Sequence, residues 1–74
     1  MKKEEFLDEV NKLVDECPKI WRRGQSVFNV VEALYGETVR DVQFIDRIDC
    51  FYKDENIDQF LDAVWKRIKN KEEK

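Results

Sequence analysis

A cluster of basic residues around one tryptophan comes directly before a predicted helix. Lys19, Arg22 and Arg23 flank Trp21, and Gly24 follows them. The first turn of a helix has backbone N–H groups without an intrahelical acceptor, and arginine forks bind carboxylates and phosphates. Together these groups could hold an anionic group of a partner.

The same arginines have a second interpretation that needs no partner. Arg22 or Arg23 could pair with Asp49 or Asp54 and so fix the loop before the last predicted helix by bidentate bonds. We expect this internal pairing and keep anion binding as the alternative. The sequence does not decide between a structural and a functional role for the two arginines.

A second polar group has the spacing of a helix face. Arg40, Gln43 and Arg47 stand at positions i, i+3 and i+7, which a helix-turn-helix protein could use to contact base edges. Asp41 and Asp46 lie close by, and the chain has a net charge of −3. A solvated polar face is therefore expected, and nucleic-acid binding through Arg22, Arg23, Arg40 and Arg47 remains the alternative.

The residues that catalysis or metal binding would need are few. The chain has no His, so Ser-His and Cys-His pairs are excluded. Cys17 and Cys50 lack the neighbours of a zinc site and are expected as buried or half-buried thiols without a disulfide. The aspartates at 46, 49 and 54 lack the alternation of a calcium loop and are expected to cap the loop's free N–H groups. We predict no enzyme activity, no metal and no cofactor.

The composition indicates one small helical domain. The chain has 74 residues, 42% of them charged and 42% hydrophobic, with two Gly and one Pro. So few turn-forming residues disfavour an all-β fold. The first residues lack the apolar segment of a signal peptide, and no apolar run approaches the ~20 residues that span a bilayer. We expect a cytoplasmic protein that does not enter membranes and is a monomer or a weak homodimer.

Helix 1 is predicted from about Lys3 to Glu16 by an apolar stripe with helical spacing. Its members are Phe6, Leu7, Val10, Leu13, Val14 and Cys17. Pro18 closes this helix, because proline lacks a backbone N–H and disfavours helical geometry in the residue before it. The connector from 18 to 23 is expected to pack Ile20 and Trp21 onto the core.

The middle of the chain predicts two helices with a break between them. Helix 2 should start near Gly24 or Gln25 and form the most buried element, with a broad apolar face. That face comprises Val27, Phe28, Val30, Val31, Leu34 and Tyr35. Gly36 is expected as a left-handed C-cap, and Thr38 with Asp41 resembles a capping box. A short helix 3 from about Thr38 to Ile45 follows, with a strand over 38–48 as the alternative because β-branched residues are frequent there.

The last third predicts an ordered loop and a final helix. Residues 46–55 should form the loop, with Ile48, Phe51 and Tyr52 as apolar anchors. Asp54 or Asn56 is available as the N-cap of helix 4. The apolar stripe of this helix is Ile57, Phe60, Leu61, Val64, Trp65 and Ile68. The ordered part should therefore run from about 3 to 69, with a frayed tail at 70–74.

Two segments resemble a known pattern. The run from Arg22 to Asn29 reads R-x-G-Q-x-x-x-N, and the run from Asp49 to Asp54 reads D-x-F-Y-x-D. In this respect the chain resembles a family of short bacterial and phage-associated proteins, over about residues 22–65. The resemblance implies a chromosomal, prophage or plasmid setting and brings no activity or catalytic residue. It also implies that the start of helix 2 and the loop before helix 4 meet, joined by polar bonds from Gln25 or Asn29.

We therefore expect an all-α fold, a single compact domain with three long or medium helices, one short helix and an ordered loop. The function expected is that of a small protein-interaction module, because helical domains of this size without catalytic groups usually act by presenting a surface. The candidate binding surface comprises Trp21, Arg22, Arg23, Gly24, Gln25, Asn29, Asp49, Phe51, Tyr52 and Asp54.

Overall fold

The fold is all-helical, as predicted. The computed structural model describes residues 2–72, apart from the side chain of Glu72. It contains α1 (Lys3–Val14), α2 (Arg23–Phe44), a short 3-10 helix (Asp54–Asn56) and α3 (Ile57–Glu72). Within this part of the chain there is no strand, so the strand alternative for residues 38–48 is wrong.

Helix α1 ends two residues before the predicted end at Glu16. Its first turn is closed by the Lys2 N–H, which donates to Glu5 Oε1 at 3.0 Å. After Val14 the chain tightens, since the N–H groups of Glu16 and Cys17 bond to carbonyls three residues back. This tight turn leads into Pro18, which cannot continue a helix.

Helix α2 consists of two helical segments that meet at Tyr35. Tyr35 has φ −139° and ψ 55°, which are not helical angles, whereas the residues on either side are helical. The predicted boundary near residue 36 is therefore confirmed. The predicted left-handed C-cap at Gly36 is wrong, because neither glycine of the chain has a positive φ.

The two segments of α2 run in opposite directions along α3. Four contacts show this: Gly24–Asp54, Phe28–Phe60, Asp41–Arg67 and Thr38–Lys71. In the first two, the residue numbers on α2 and on the partner segment rise together. In the last two, they change in opposite senses. The chain thus reverses direction at Tyr35. The two helical segments are joined through this single non-helical residue, without a separate loop.

The core is formed by the predicted stripes of the helices. Its buried members are Phe6, Val10, Val27, Phe28, Val30, Val31, Val39, Val42, Cys50, Ile57, Phe60, Val64 and Ile68. The first segment of α2 contributes four of them and is the most buried element, as expected. Burial of these side chains is the main favourable term for so small a domain.

Some predicted core residues lie at the surface. Ile20 is 92% exposed, and Trp21 is half-buried but is not one of the side chains that pack against the core, so the expected packing of both residues onto the core is wrong. Ile45 is 67% exposed because α2 has already ended at Phe44. Tyr52 is 73% exposed, whereas its loop neighbours Ile48 and Phe51 pack against the core as predicted.

Ion pairs attach α3 to the rest of the domain. Arg67 binds Asp46 in a bidentate manner, with Nε–Oδ2 at 3.0 Å and Nη2–Oδ1 at 2.8 Å. Asp62 accepts bonds from Lys3 at 3.0 Å and forms an ion pair with Lys66 at 3.1 Å. Helix α3 continues through Glu72, into the segment predicted to fray from residue 70. Residues 73 and 74 of that predicted tail lie outside the described residues.

Candidate functional site

The start of α2 and the loop before α3 meet, as the resemblance of the two segments implied. Three hydrogen bonds join them. The N–H of Gly24 donates to Asp54 Oδ1 at 2.9 Å, Arg22 Nη2 donates to the Phe51 carbonyl at 3.3 Å, and Cys50 Sγ donates to the Gly24 carbonyl at 3.4 Å. These bonds replace the ones expected from Gln25 and Asn29, which are half-buried at the same end of α2.

Gly24 is required at this junction because the backbone of Cys50 approaches it closely. A Cβ at this position would overlap the backbone carbonyl of Cys50 and lie 2.8 Å from Asp54 Oδ1. Both neighbours are held in place, because Cys50 is fully buried and Asp54 is bonded to Gly24 itself. The glycine therefore serves backbone packing, and no open cradle for a ligand remains at its N–H.

The anion that the helix start was predicted to attract is a carboxylate of this chain. Asp54 was predicted as a cap for the last helix, but its Oδ1 caps α2. A carboxylate at a helix N-terminus is stabilised by the free N–H groups and by the helix dipole. This junction is consequently a structural contact.

The two adjacent arginines have different surroundings. The expected pairing with Asp49 or Asp54 is wrong, because Arg22 bonds to the Phe51 carbonyl and its guanidinium lies 5.9 Å from the centre of the Tyr52 ring. Arg23 lies in an open groove that it shares with Glu55 and Asp58, and within residues 2–72 it forms no ion pair. Arg22, and not Arg23, thus contacts the loop.

Asp49 organises the loop from within. Its Oδ1 accepts the N–H of Phe51 at 2.7 Å, and its Oδ2 accepts a bond from Gln43 at 3.2 Å. Its own carbonyl accepts a bond from Asn56 Nδ2 at 3.0 Å. The predicted role of an aspartate in capping free N–H groups of this loop is confirmed.

Cys50 is a buried structural thiol, and Cys17 is a half-buried one, as expected. Burial raises the pKa of the Cys50 thiol to about 12, and the nearby charge of Asp49 adds to this effect. A thiol with so high a pKa has almost no thiolate near neutral pH, and the thiolate is the reactive form. Cys50 is therefore not a nucleophile in the folded protein.

The helix face predicted for Arg40, Gln43 and Arg47 does not exist as one surface. Helix α2 ends at Phe44, and Arg47 has a positive φ of 58°, in the left-handed region. The N–H of Ile48 turns back to the Val42 carbonyl at 3.1 Å, so the chain leaves the helix axis at this point. Gln43 is bonded to the loop, which leaves Arg40 alone on that face.

Arg47 lies instead beside the exposed tyrosine. Arg47, Tyr52 and Lys53 line one open groove of about 290 Å³, together with Asp49 and Asn56. We call the group formed by Arg22, Arg47, Tyr52 and Lys53 the Tyr52 surface. Arg47 and Lys53 were absent from the predicted binding surface, because only the turn at the end of α2 brings residue 47 to residue 52.

The cations of the Tyr52 surface have no acidic partner. Among the side chains that the structure describes, ion pairs are formed by Lys3, Lys66 and Arg67. Arg22, Arg47 and Lys53 form none and are exposed. These charges are thus available to an external group.

A second exposed apolar region lies at the end of α2. Phe44 is 71% exposed and is followed directly by the exposed Ile45. No arrangement of polar groups on the described residues indicates what would cover this pair.

The described residues contain neither a cluster of metal ligands nor a helix that could span a membrane. No group of three or more Cys, Asp or Glu side chains is arranged to hold a metal ion within residues 2–72. None of the described helices has the length and apolar content needed to cross a membrane.

Comparisons with protein-family models, curated protein sequences and solved structures find no significant match to this chain.

Proposed function

We propose that this domain is a small protein-interaction module and that it binds its partner through the Tyr52 surface. The observation that supports this is that Tyr52 is 73% exposed and lies beside three cations that form no ion pair within residues 2–72. Tyrosine and arginine are the residue types most often found as binding hot spots in protein interfaces. Among residues 2–72, no group of side chains is assembled in a way that supports a catalytic function.

The loop that carries Tyr52 is held in position from several sides. The Phe51 ring packs edge-on against Phe28 at 5.6 Å, and the Tyr52 ring lies 4.7 Å from the Phe51 ring. The backbone is tied by Asp49 on one side and by Arg22 on the other. A loop with so many internal bonds presents its exposed side chain at little entropic cost on binding.

This interpretation assigns separate roles to the predicted surface residues. Gly24, Asp49 and Asp54 build the junction and are occupied by internal bonds. Arg22 belongs to both the junction and the surface, because its guanidinium bonds to the loop and faces the Tyr52 ring. Tyr52 is the residue on which binding should depend most.

The test compares two double variants, each of which replaces one exposed aromatic residue by Ser and one exposed Lys by Glu. Tyr52→Ser with Lys53→Glu alters the Tyr52 surface, and Phe44→Ser with Lys12→Glu makes matched changes at exposed positions elsewhere. Each tagged protein is recovered from its host cells, and the proteins that accompany it are identified by mass spectrometry. Thermal unfolding of both variants verifies that they fold.

We expect the first variant to lose partners that the wild type and the second variant retain. Loss from the second variant alone would move the interaction to the Phe44–Ile45 region. Equal recovery by all three proteins would contradict a binding role for both regions.

A nucleic-acid partner is the second candidate, and one observation favours it. Arg22 and Arg47, which are distant in sequence, both lie near the exposed Tyr52: the Arg22 guanidinium is 5.9 Å from the ring centre, and Arg47 lines the same groove as Tyr52. Single-stranded nucleic acids bind to surfaces that combine cations with an aromatic ring on which a base can stack. Nuclease treatment during purification of the tagged protein would remove a nucleic-acid partner. The affinity for such a partner would also fall steeply with salt.

A further inference from the structure

We infer that the Tyr52 surface takes an acidic protein segment, in which carboxylates flank an apolar or aromatic side chain. This inference rests on the proposed function and specifies its partner. The whole chain is acidic, with a net charge of −3, and this surface is not.

The local charge at the Tyr52 surface has the opposite sign to that of the protein. The chain carries 17 acidic and 14 basic residues, for a net charge of −3. The groove beside Tyr52 is lined by Arg47, Lys53 and one carboxylate, that of Asp49, and the Arg22 guanidinium lies 5.9 Å from the centre of the Tyr52 ring. Both Asp49 oxygens accept internal bonds, and the Asp54 carboxylate, next to Lys53, accepts the Gly24 N–H. Three cations and two carboxylates that are engaged in internal bonds leave a net positive region.

The start of α2 contributes charge of the same sign. Arg22 is the N-cap residue of this helix, and its side chain makes no capping bond. The free N–H groups of a helix N-terminus carry a partial positive charge. Asp54 satisfies the N–H of Gly24 and offsets part of this charge.

Arg22 still has donors for a carboxylate. Its guanidinium has five N–H donors, and one bond, to the Phe51 carbonyl, is used within the protein. An arginine held over a tyrosine ring with free donors is a suitable partner for a carboxylate beside an aromatic or apolar group. The ring of Tyr52 would contact that apolar group.

Two other occupants fit this surface less well. A second copy docked symmetrically would bring Arg22, Arg47 and Lys53 against the same cations, and like charges across an interface are unfavourable. A nucleic acid would gain few phosphate contacts from three cations, and the acidic remainder of the chain would repel it. An acidic protein segment avoids both penalties.

The experiment uses a display library of random peptides of about a dozen residues, selected on the intact immobilised protein. Peptides that also bind the Tyr52→Ser, Lys53→Glu double variant are removed. We expect the retained peptides to be enriched in Asp and Glu and depleted in Lys and Arg. Replacing the carboxylates of one such synthetic peptide by amides should weaken its binding about tenfold or more, since a charged hydrogen bond contributes about 1.5–3 kcal/mol.

The outcomes separate this inference from the proposed function. Retained peptides that are neutral or basic would overturn the acidic-partner inference and leave the protein-binding function standing. A library that yields no peptide dependent on Tyr52 would overturn both. Tighter binding of an oligothymidine than of the best peptide, abolished by the same double variant, would also overturn both in favour of a nucleic-acid partner.

Discussion

Asp54 caps a helix that precedes it in the chain, since its Oδ1 accepts the N–H of Gly24, 30 residues earlier, at 2.9 Å. This bond joins the first turn of α2 to the short 3-10 helix that precedes α3. It therefore links two elements whose relative position determines the core. A carboxylate in this position satisfies a donor that the helix itself cannot satisfy.

Asp54→Ala should reduce the free energy of unfolding by about 1–2 kcal/mol, the usual cost of removing an N-cap acceptor. Asp54→Asn keeps an acceptor oxygen and should cost less. Urea unfolding monitored by circular dichroism measures both changes. Glu55→Ala is the matched control, because Glu55 is an exposed neighbour that makes no such bond, and it should change stability by less than about 0.5 kcal/mol. Equal losses at 54 and 55 would contradict the capping role.

The two glycines should respond in opposite ways to alanine. Gly24→Ala places a methyl group against the Cys50 carbonyl and should destabilise the domain by about 1–3 kcal/mol or more, because backbone atoms cannot move aside easily. Gly36→Ala has open space at its Cβ position and should stabilise by about 0.5–1 kcal/mol through helix propensity. Thermal unfolding of the pair measures this contrast. A loss of stability in Gly36→Ala would mean that the reversal at Tyr35 needs a glycine beside it.

Stability should fall with acid in a manner that depends on Asp46. The hydrogen bonds from Arg67 hold the pKa of this carboxyl below its usual value. The folded state then binds fewer protons than the unfolded state. The contribution of the Asp46 charge to the free energy of unfolding is therefore present above the unfolded pKa of about 4 and is lost as pH falls through the folded pKa. Asp46→Asn should be less stable than the wild type near neutral pH, and the difference should shrink below about pH 4.

Denaturant unfolding of wild type and Asp46→Asn at several pH values between about 2 and 7 measures that difference. Asp62, whose pKa is lowered by its bonds to Lys3 and Lys66, is present in both proteins. Its effect therefore cancels in the comparison. A difference that stays constant across the range would show that Asp46 does not stabilise through its charge.

The two thiols should differ in reactivity towards a disulfide reagent. Cys50 is fully buried, and burial raises its pKa to about 12, so a Cys17→Ser variant should react only as fast as it unfolds. Cys17 is half-buried, and a Cys50→Ser variant should therefore react faster under native conditions. Both reactions are followed at mildly alkaline pH by the absorbance of the thiolate that the disulfide reagent releases. Fast reaction of Cys50 in the folded state would contradict its place in the core.

Phe28→Ala and Phe60→Ala should each destabilise by about 3–5 kcal/mol, because both rings are buried and pack against each other in a tilted arrangement, with centres 5.5 Å apart. Lys12→Ala, on the exposed side of α1, should have little effect. Urea unfolding compares the three variants. Small and equal changes would mean that the two rings do not belong to the core.

The predicted fold was largely correct because helical stripes are local. Phe6 and Val10 on α1, and Phe60 and Val64 on α3, are separated by one turn, so their spacing alone predicts which face is buried. The break near residue 36 was also predicted, from a glycine. The residue that departs from helical angles is Tyr35, because the reversal is determined by how the two segments pack on α3.

The candidate site depended on contacts that no local pattern contains. The resemblance of the two segments implied that they meet, and the sequence predicted that an aspartate would cap free N–H groups. It did not predict that Asp54 caps α2, that Arg22 bonds to a carbonyl instead of a carboxylate, or that Arg67 pairs with Asp46. Each of these bonds joins residues 21 to 30 positions apart, and several carboxylates were equally plausible partners on composition alone.

The residue types of the Tyr52 surface are a property of the sequence, whereas its existence as a surface is a property of the tertiary structure. Tyr52 was expected as an apolar anchor, and Arg47 as part of a helix face. The left-handed turn at Arg47 follows the end of α2, and this residue lines the same groove as the exposed Tyr52. Helical periodicity acts over a few residues, but the direction in which a chain leaves a helix depends on the packing of the elements that follow.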